Sequence, residues 1–324
     1  MVRLGIVGVG GMGSAHAQTL QQAQIGELVA VQDVRPEAAQ AAAEKFGVAG
    51  YTDLPALLEQ VEGIIVASPP ACHREAVVAA AERGVHVFCE KPLAVDLADC
   101  DAMVAACEAA GVVLMTGQVL RFYACHELGK RLVDEGAIGD LVYLETDYAW
   151  PFRGGRERPR SWYGTLGGFL ENGIHKADLI NWFGGQAESV AAEVGSWSGH
   201  ADWEDYAVTL IRFASGSVGT LRWGPFMGAR SSTDTFLDGT QGSLRLSIQE
   251  NRVWQKRLGE ESWTEWVPEG SVGEGVANEL RHFVNCIETG APCRCDGREG
   301  RRAVELVLAS YRSAREGTKV ALPL

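Results

Sequence analysis

The stretch Leu4–Gly13, which reads LGIVGVGGMG, places a G-x-G-x-x-G pattern between a predicted strand and a predicted helix. Gly8 permits a tight turn, Gly10 lets the backbone approach a pyrophosphate, and Gly13 allows the helix to pack closely on the strand. The helix would present unpaired N–H groups and the positive end of its dipole to that pyrophosphate. In this context the pattern predicts a dinucleotide site; the alternative is a glycine-rich turn that binds nothing.

An acidic residue ends the second predicted strand. Asp33 lies twenty residues beyond Gly13, where its carboxylate can accept hydrogen bonds from both ribose hydroxyls. Its charge would repel a 2′-phosphate, so we predict NAD as the cofactor. NADP stays open as an alternative because Arg35 could neutralise such a phosphate.

Strand and helix patterns alternate through the first third of the chain, and the strands are apolar throughout. This alternation predicts an α/β Rossmann fold, a doubly wound parallel sheet covered on both faces. The predicted strands are Leu4–Gly8, Leu28–Gln32, Gly63–Ala67, Val85–Cys89 and Val112–Gly117. The predicted helices are Ser14–Gln22, Pro36–Phe46, Leu54–Gln60, His73–Arg83 and Leu97–Ala110.

After about Arg121 the pattern changes to longer alternating segments separated by turn residues. These segments predict an α+β domain with a large, mostly antiparallel open sheet. We therefore expect domains at 1–120 and 121–324, with the last helix, at about 300–315, packing near the first domain. The predicted strands are Leu141–Ala149, Ala187–Ser196, Ala207–Phe213, Ser217–Trp223, Thr233–Leu237 and Ser243–Ile248, and the helices are Cys125–Glu135, Glu274–Glu288 and Gly300–Arg315.

The composition is that of an ordinary globular protein, with 324 residues, 46% of them hydrophobic, and a net charge of −13. The acidic balance argues against partners that bind basic surfaces, namely nucleic acid and anionic membranes. No apolar run reaches the roughly 18 residues that span a bilayer. We interpret the eight cysteines as reduced thiols of a cytoplasmic protein. Cys293 and Cys295 have no second Cys or His pair at zinc spacing, so we expect no metal site.

The segment Val85–Pro92, VHVFCEKP, resembles a buried strand followed at once by a charged pair. Glu90 and Lys91 would lie at the carboxyl edge of the sheet, where open α/β sheets bind ligands. Pro92 restrains the backbone of the lysine. An ordinary charged loop after a strand is the alternative. The segment 67–70, ASPP, follows another strand at the same edge. Its two prolines predict a stiff loop, which would either form a wall against the nicotinamide ribose or be a plain rigid turn.

Four motifs, taken in order, resemble the glucose–fructose oxidoreductase/inositol dehydrogenase (Gfo/Idh/MocA) family of NAD(P)-dependent sugar oxidoreductases. They are GVGGMG, SPPACHREA at Ser68–Ala76, HVFCEKP at His86–Pro92 and GGFLENGIHKAD at Gly167–Asp178. The C-terminal segment GRRAVELVLASYRSAREG also resembles the closing helix of the family. The resemblance implies a Rossmann domain followed by a substrate domain with an open sheet, through which the chain would form a homodimer or homotetramer.

The resemblance also implies roles for individual residues. Lys91 corresponds to the catalytic lysine of the family, and Glu90 to the acid that contacts the nicotinamide ribose. His175 corresponds to the proposed acid/base. Four residues before it much of the family has aspartate, where this chain has Glu171. Asp178 matches the aspartate after the histidine, and Arg121 an arginine of the active-site cleft.

The chemistry of alcohol oxidation suits these residues. Lys91 could stabilise a developing alkoxide, and His175, with a pKa near working pH, could accept the hydroxyl proton. Glu171 would face the same side as His175 if a helix begins there. A lone structural histidine is the alternative. His16, His73 and His86, taken singly, resemble ordinary histidines at helix starts or in strands.

An arginine-rich and aromatic segment, Trp150–Tyr163, is predicted to select the substrate, because aromatic rings stack on sugars and arginines bind hydroxyl or carboxylate groups. A solvated basic loop or an oligomer contact is equally consistent with it. The full substrate-binding set is Arg121, Trp150, Arg153, Trp162, Tyr163, Asn172 and Asp178; the catalytic set is Lys91, His175 and Glu171. The cofactor set is Gly8, Gly10, Gly11, Met12, Gly13, Asp33, Arg35, Ser68, Pro69, His73, Glu90 and Lys91.

Taken together, these features predict hydride transfer between NAD and a secondary alcohol of a sugar, sugar derivative or cyclitol. A second hypothesis is NAD-dependent glycoside cleavage by transient oxidation and elimination. A third is a non-catalytic nucleotide-binding sensor, against which the presence of both Lys91 and His175 argues.

Overall fold

The computed structural model describes residues 1–151, 166–197, 203–227 and 231–324. The chain divides into two compact units. The first comprises Met1–Val119 and Val276–Arg301, and the second Leu120–Gly275 and Arg302–Leu324. None of the helices within the described ranges combines the length and the apolar character that crossing a bilayer requires.

The first unit contains a six-stranded sheet in the order β3-β2-β1-β4-β5-β6, and all of its strand pairs are parallel. The direction of winding reverses between β1 and β4, which makes the crevice at their carboxyl ends the expected ligand position. This confirms the predicted Rossmann fold. The strands are β1 (Arg3–Val7), β2 (Glu27–Gln32), β3 (Ala49–Tyr51), β4 (Gly63–Val66), β5 (His86–Cys89) and β6 (Leu114–Thr116).

Five α-helices connect these strands, and the last of them carries the expected capping residue at each end. The last of them starts where Asp96 accepts a hydrogen bond from Asp99 N at 2.8 Å, and it ends at Gly111 with a left-handed φ of 66°. The helices are α1 (Gly11–Ala23), α2 (Pro36–Phe46), α3 (Leu54–Leu58), α4 (His73–Ala81) and α5 (Leu97–Ala110). Sequence analysis missed β3, since its AGY sequence is short and mostly exposed.

The second unit contains a nine-stranded sheet in the order β14-β13-β12-β11-β7-β10-β9-β8-β15. Only the central pair, β7 with β10, is parallel among the described strands, so the predicted mostly antiparallel sheet is confirmed. The strands are β7 (Leu141–Pro151), β8 (Ala187–Gly195), β9 (Tyr206–Phe213), β10 (Val218–Met227), β11 (Thr235–Gly239), β12 (Gly242–Ser247), β13 (Arg252–Arg257), β14 (Thr264–Trp266) and β15 (Val320–Ala321).

One face of this sheet carries the core of the second unit. Along β9, buried residues alternate with exposed ones, as a half-buried strand requires. Helix α7 packs on β7 and β10 through buried side chains such as Leu179 and Ile180. The remaining helices are α6 (Ala124–Asp134), a π-helical turn (Phe169–Gly173), α7 (Ile174–Gly184), α8 (Gly275–Thr289) and α9 (Gly297–Glu316).

The segment Val276–Arg301 belongs to the first unit, although sequence analysis placed it in the domain 121–324. Phe283 of α8 packs edge-on against Phe88 of β5, with ring centroids 5.9 Å apart. Thr116 N, at the end of β6, donates to Cys295 O at 2.8 Å. These contacts join residues far apart in sequence, so alternation of elements along the chain does not reveal them. The first border, at Val119, lies next to the predicted one.

Candidate active site

The glycine turn between β1 and α1 has the shape that a pyrophosphate needs. Gly8 has a φ of 87°, and a Cβ there would lie 2.7 Å from Ser68 N. A Cβ on Gly13 would lie 1.9 Å from Gly8 O, so close helix–strand contact requires glycine. A Cβ on Gly10 or Gly11 would meet nothing within 4 Å among the described residues, so this side of the turn is open. Met12 is 48% exposed beside it.

Asp33 lies directly beside this turn. Its Oδ2 accepts a hydrogen bond from Val9 N at 3.2 Å, and its Oδ1 accepts from Arg35 N and Nε, both at 3.0 Å. Burial opposes the charge, but the hydrogen bonds with Arg35 outweigh it and lower the pKa of Asp33. The carboxylate is therefore ionised at neutral pH, and it engages the guanidinium that could otherwise neutralise a 2′-phosphate. This arrangement fits the ribose hydroxyls of NAD.

His73 joins two loops at the carboxyl edge of the sheet. Its Nε2 lies 2.9 Å from Ser68 O, and its Nδ1 lies 3.1 Å from Pro92 O. The ring is buried, and burial lowers the pKa of His73; a neutral ring donates to only one of these carbonyls at a time. Its contacts hold the loop that contains Ser68 and Pro69 against the turn that contains Lys91. This geometry supports a positioning role, and a direct cofactor contact stays a prediction.

The turn after β5 holds Lys91 next to a buried carboxylate. Glu90 Oε1 lies 2.6 Å from His16 Nε2, and Glu90 Oε2 accepts from Lys91 N at 3.1 Å. Burial opposes ionisation of Glu90, but the contact with His16 lowers its pKa, so we assign it as ionised. Lys91 is partly exposed at the sheet edge. The contact between Glu90 and His16, which lies on α1, was not predicted from the sequence.

A second carboxyl group completes a buried cluster in the first unit. One side-chain nitrogen of His16 and one carboxyl oxygen from each of Glu90 and Glu279 lie within 4.8 Å of one another. Glu279, on α8, is 2% exposed, and its Oε2 accepts no hydrogen bond from the described part of the chain. Burial, and then the charge of Glu90, raise the pKa of Glu279 well above its usual value. It therefore holds a proton at neutral pH. Sequence analysis did not single it out.

The π-helical turn Phe169–Gly173 carries two predicted residues of the second unit, Glu171 and Asn172. Glu204 Oε1 accepts from Phe169 N at 2.7 Å and also from the Tyr311 hydroxyl, which anchors the turn. Gly173 leaves room for the ring of Phe169, because a Cβ there would lie 2.2 Å from it. The turn is thus held by packing and by a carboxylate.

The same π-helical turn changes the geometry that the sequence suggested for Glu171 and His175. A helix does begin here, but i→i+5 hydrogen bonds space the side chains over a wider turn than the assumed α-helix. Glu171 is buried and His175 is half-buried. Between them, Asn172 Oδ1 accepts from Trp223 Nε1 at 3.0 Å. The roles of all three residues stay predictions.

Arg121 and Asp178, both predicted to bind substrate, bind each other. Arg121 Nη2 lies 2.6 Å from Asp178 Oδ1, and Nε donates to Oδ2 at 2.8 Å. Each side chain is 1% exposed. Such a bidentate pair fixes the start of the second unit to α7. Any contact with substrate would have to come from a group that is already engaged.

Lys176, the neighbour of His175, is a buried cation that sequence analysis missed. Its Nζ donates to Thr233 O at 2.8 Å. Burial lowers the pKa of Lys176 to about 8, although Asp147 opposes the shift. A buried amine one residue from the predicted base adds to the electrostatics of that region. An apolar helix pattern gave no signal for it.

The predicted substrate segment is described only at its start. Trp150 packs edge-on against Trp223, with ring centroids 6.0 Å apart, within the second unit. Arg153, Trp162 and Tyr163 lie outside the described residues.

Two family models match this chain. A model described as "Oxidoreductase family, NAD-binding Rossmann fold" matches residues 2–118, and one described as "Oxidoreductase family, C-terminal alpha/beta domain" matches residues 130–322. The chain belongs to the Gfo/Idh/MocA oxidoreductase family. The resemblance seen in the motifs is thereby confirmed, as are the NAD cofactor and the oxidoreductase class.

The relatives of this Gfo/Idh/MocA member include proteins named as dehydrogenases and proteins named as hydratases. It is 30% identical to a D-apiose dehydrogenase of Paraburkholderia graminis, over 98% of this chain and 88% of the relative. It is also 30% identical to the 2,7-anhydro-N-acetylneuraminate hydratase of Escherichia coli, over 77% of this chain and 68% of the relative. The structure of the WlbA dehydrogenase from Bordetella pertussis, in complex with NADH and UDP-GlcNAcA, is similar with a TM-score of 0.86 and 27% identity, covering 100% and 98% of the two chains.

Proposed function

We propose that this protein transfers a hydride between NAD and a secondary alcohol of a sugar, a sugar derivative or a cyclitol. The observation that carries the proposal is the position of Lys91. It follows β5 at the carboxyl edge of the Rossmann sheet, the edge that also presents the open glycine turn and Asp33. A relative named as a sugar dehydrogenase supports this substrate class.

The residues of the first unit fit the cofactor. The pyrophosphate would bind at the open side of Gly10 and Gly11, and the carboxylate of Asp33 would accept hydrogen bonds from the ribose hydroxyls. When bound, NAD supplies the hydride acceptor. Lys91, restrained by Glu90, would then direct its ammonium group at the alcohol oxygen.

The chemistry at the alcohol needs one cation and one base. The ammonium group of Lys91 would stabilise the alkoxide as it forms. The imidazole of His175 would accept the hydroxyl proton, since its usual pKa lies near neutral pH. We assign Glu171 and Asn172 to the same group of residues as His175 because the π-helical turn that carries them leads directly into α7, which carries His175.

A fluorimetric screen tests this proposal. Purified protein and NAD are incubated with sugars, cyclitols and sugar acids, while NADH formation and substrate loss are both followed. Net NADH formation with one substrate class supports the dehydrogenase. Substrate conversion without net NADH would instead indicate transient oxidation, and tight NAD binding with no conversion across the panel would indicate a non-catalytic protein.

We also propose that the chain self-associates through the outer face of its nine-stranded sheet. On β9, the outward side chains Val208 and Leu210 are 41% and 50% exposed. These two side chains are neighbours on one face of the strand, and contiguous exposed apolar patches mark association surfaces. Light scattering after size-exclusion chromatography tests it: the parent should be a dimer or tetramer, and Leu210→Lys should shift it towards monomer. A monomeric parent would rule it out.

A further inference from the structure

A second cluster of chemically active side chains lies at the end of α8, in the first unit. His282, Cys286 and Cys293 each place one donor atom within 4.8 Å of the other two. His282 and Cys286 are four residues apart on one face of the helix, and His282 Nε2 lies 3.5 Å from Cys286 Sγ. Cys293 comes from the connection between α8 and α9. None of these residues belongs to the predicted active site.

A third sulfur lies next to one of these groups. The buried thiol of Cys295 is hydrogen-bonded to Cys293. The chain therefore brings together H-x3-C on a helix and C-x-C on the following loop. No metal was predicted here because no second Cys or His pair lies at the usual zinc spacing in the sequence. In the structure, His282 and Cys286 on α8 provide that pair, because the connection after α8 turns back towards them.

The distances among His282, Cys286 and Cys293 suit a tetrahedral zinc ion, to which Cys295, beside Cys293, would supply the fourth ligand. With Zn–S of about 2.3 Å and Zn–N of about 2.0–2.1 Å, neighbouring sulfur and nitrogen ligands lie roughly 3.6 Å apart. The separation of 3.5 Å between His282 Nε2 and Cys286 Sγ already matches this edge. The limit of 4.8 Å for the whole triad leaves about 1 Å of contraction on binding.

Two further features bear on the site. Arg294 N donates to His282 Nε2 at 3.0 Å, so the ring lone pair already points at the connecting loop, and a metal would replace this hydrogen bond. Three thiolates and one divalent ion carry a net charge of −1, which the cation of Arg294 would offset. The same loop is held to β6 through Cys295 O.

We propose that His282, Cys286, Cys293 and Cys295 form a structural site for zinc. The ion would tie the last turn of α8 to the loop that leads to α9. With four protein ligands the site is closed, so its role is stability of the first unit rather than catalysis.

Metal binding to the full chain tests the proposal. Chelator-treated, reduced protein is titrated with Zn²⁺, and bound metal is counted by elemental analysis. Co²⁺ is then used as a spectroscopic probe, because thiolate coordination in a tetrahedral site gives charge-transfer and intense d–d bands. The variants are Cys286→Ser, Cys293→Ser and His282→Asn. Cys107→Ser is the matched control, since Cys107 is a buried thiol on α5.

The proposal predicts one Zn²⁺ per chain, a higher Tm with zinc, and thiolate bands with Co²⁺. Each ligand variant should bind Zn²⁺ at least about tenfold more weakly, whereas Cys107→Ser should bind as the parent does. Absence of stoichiometric binding by the parent, or equal binding by the ligand variants, would overturn it. If a cysteine variant does not fold, as judged by circular dichroism, His282→Asn decides the question. Metal counts do not depend on turnover, so the dehydrogenase proposal is tested separately.

Discussion

His16 Nε2 lies 2.6 Å from Glu90 Oε1 in a contact that is almost fully buried. It joins α1, which follows the glycine turn, to the turn that carries Lys91. Because Glu90 also accepts a hydrogen bond from Lys91 N, the imidazole indirectly sets the backbone of the predicted catalytic lysine. The carboxylate of Glu90 therefore links the helix that follows the glycine turn to the backbone of Lys91.

Replacing His16 by leucine should destabilise the protein. The buried carboxylate of Glu90 would lose its hydrogen-bond partner His16, and a hydrogen bond to a charged group is worth about 1.5–3 kcal/mol. Urea unfolding, followed by tryptophan fluorescence, measures the change. A loss below about 1 kcal/mol would mean that Glu90 takes up a proton or finds another donor.

Glu279→Gln should change the pH dependence of stability. Folding raises the pKa of Glu279, so the folded chain holds a proton that the unfolded chain has lost at neutral pH. That carboxyl group therefore destabilises the fold increasingly as pH rises above its unfolded pKa. The amide needs no proton. The Tm of the variant minus that of the parent should be more positive at pH 8 than at pH 5, and an equal difference at both would contradict the assignment.

Lys91→Met should remove turnover and leave cofactor binding nearly intact. Loss of a group that stabilises developing charge typically lowers kcat by about 10²–10³-fold. NAD affinity should stay within a few-fold, since the predicted pyrophosphate and ribose contacts lie elsewhere. Stopped-flow NADH formation and NAD titration measure the two quantities. Lys45→Met, on α2, is the control, and near-parent turnover by Lys91→Met would refute the assignment.

Asp33→Ala should weaken NAD binding and reduce the preference of the protein for NAD over NADP. The variant loses a charged hydrogen-bond acceptor for the ribose, worth roughly 1.5–3 kcal/mol, and it releases Arg35 from its ion pair. The double variant with Arg35→Gln should lose the gain in NADP binding. The ratio of dissociation constants for the two cofactors is the measurement, and an unchanged ratio in Asp33→Ala means that another group reads the ribose.

The elements of the first unit were predicted correctly where the local sequence pattern was strong. The runs of apolar residues in β1, β4 and β5 and the glycine turn placed the sheet and its ligand edge. The strands β3, β14 and β15 were missed because two or three residues with little burial carry no periodicity. β13 is longer but was missed as well.

Contacts between distant residues account for what sequence reasoning could not find. Glu279 meets Glu90 only because α8 packs on the first unit, and His282 meets Cys293 only because the chain turns back after α8. Arg121 and Asp178 were predicted to bind substrate, and in the structure they form an ion pair with each other. That they neutralise each other is a matter of packing, which the motif does not encode.

The most direct test of the account is a crystal structure of the complex with NAD and a substrate from the screen. We predict that the ammonium of Lys91 and the imidazole of His175 both contact the oxygen of the alcohol that is oxidised, with the nicotinamide ring beside its carbon. A complex in which either group points away from that oxygen, or in which the dinucleotide binds away from the glycine turn, would contradict it.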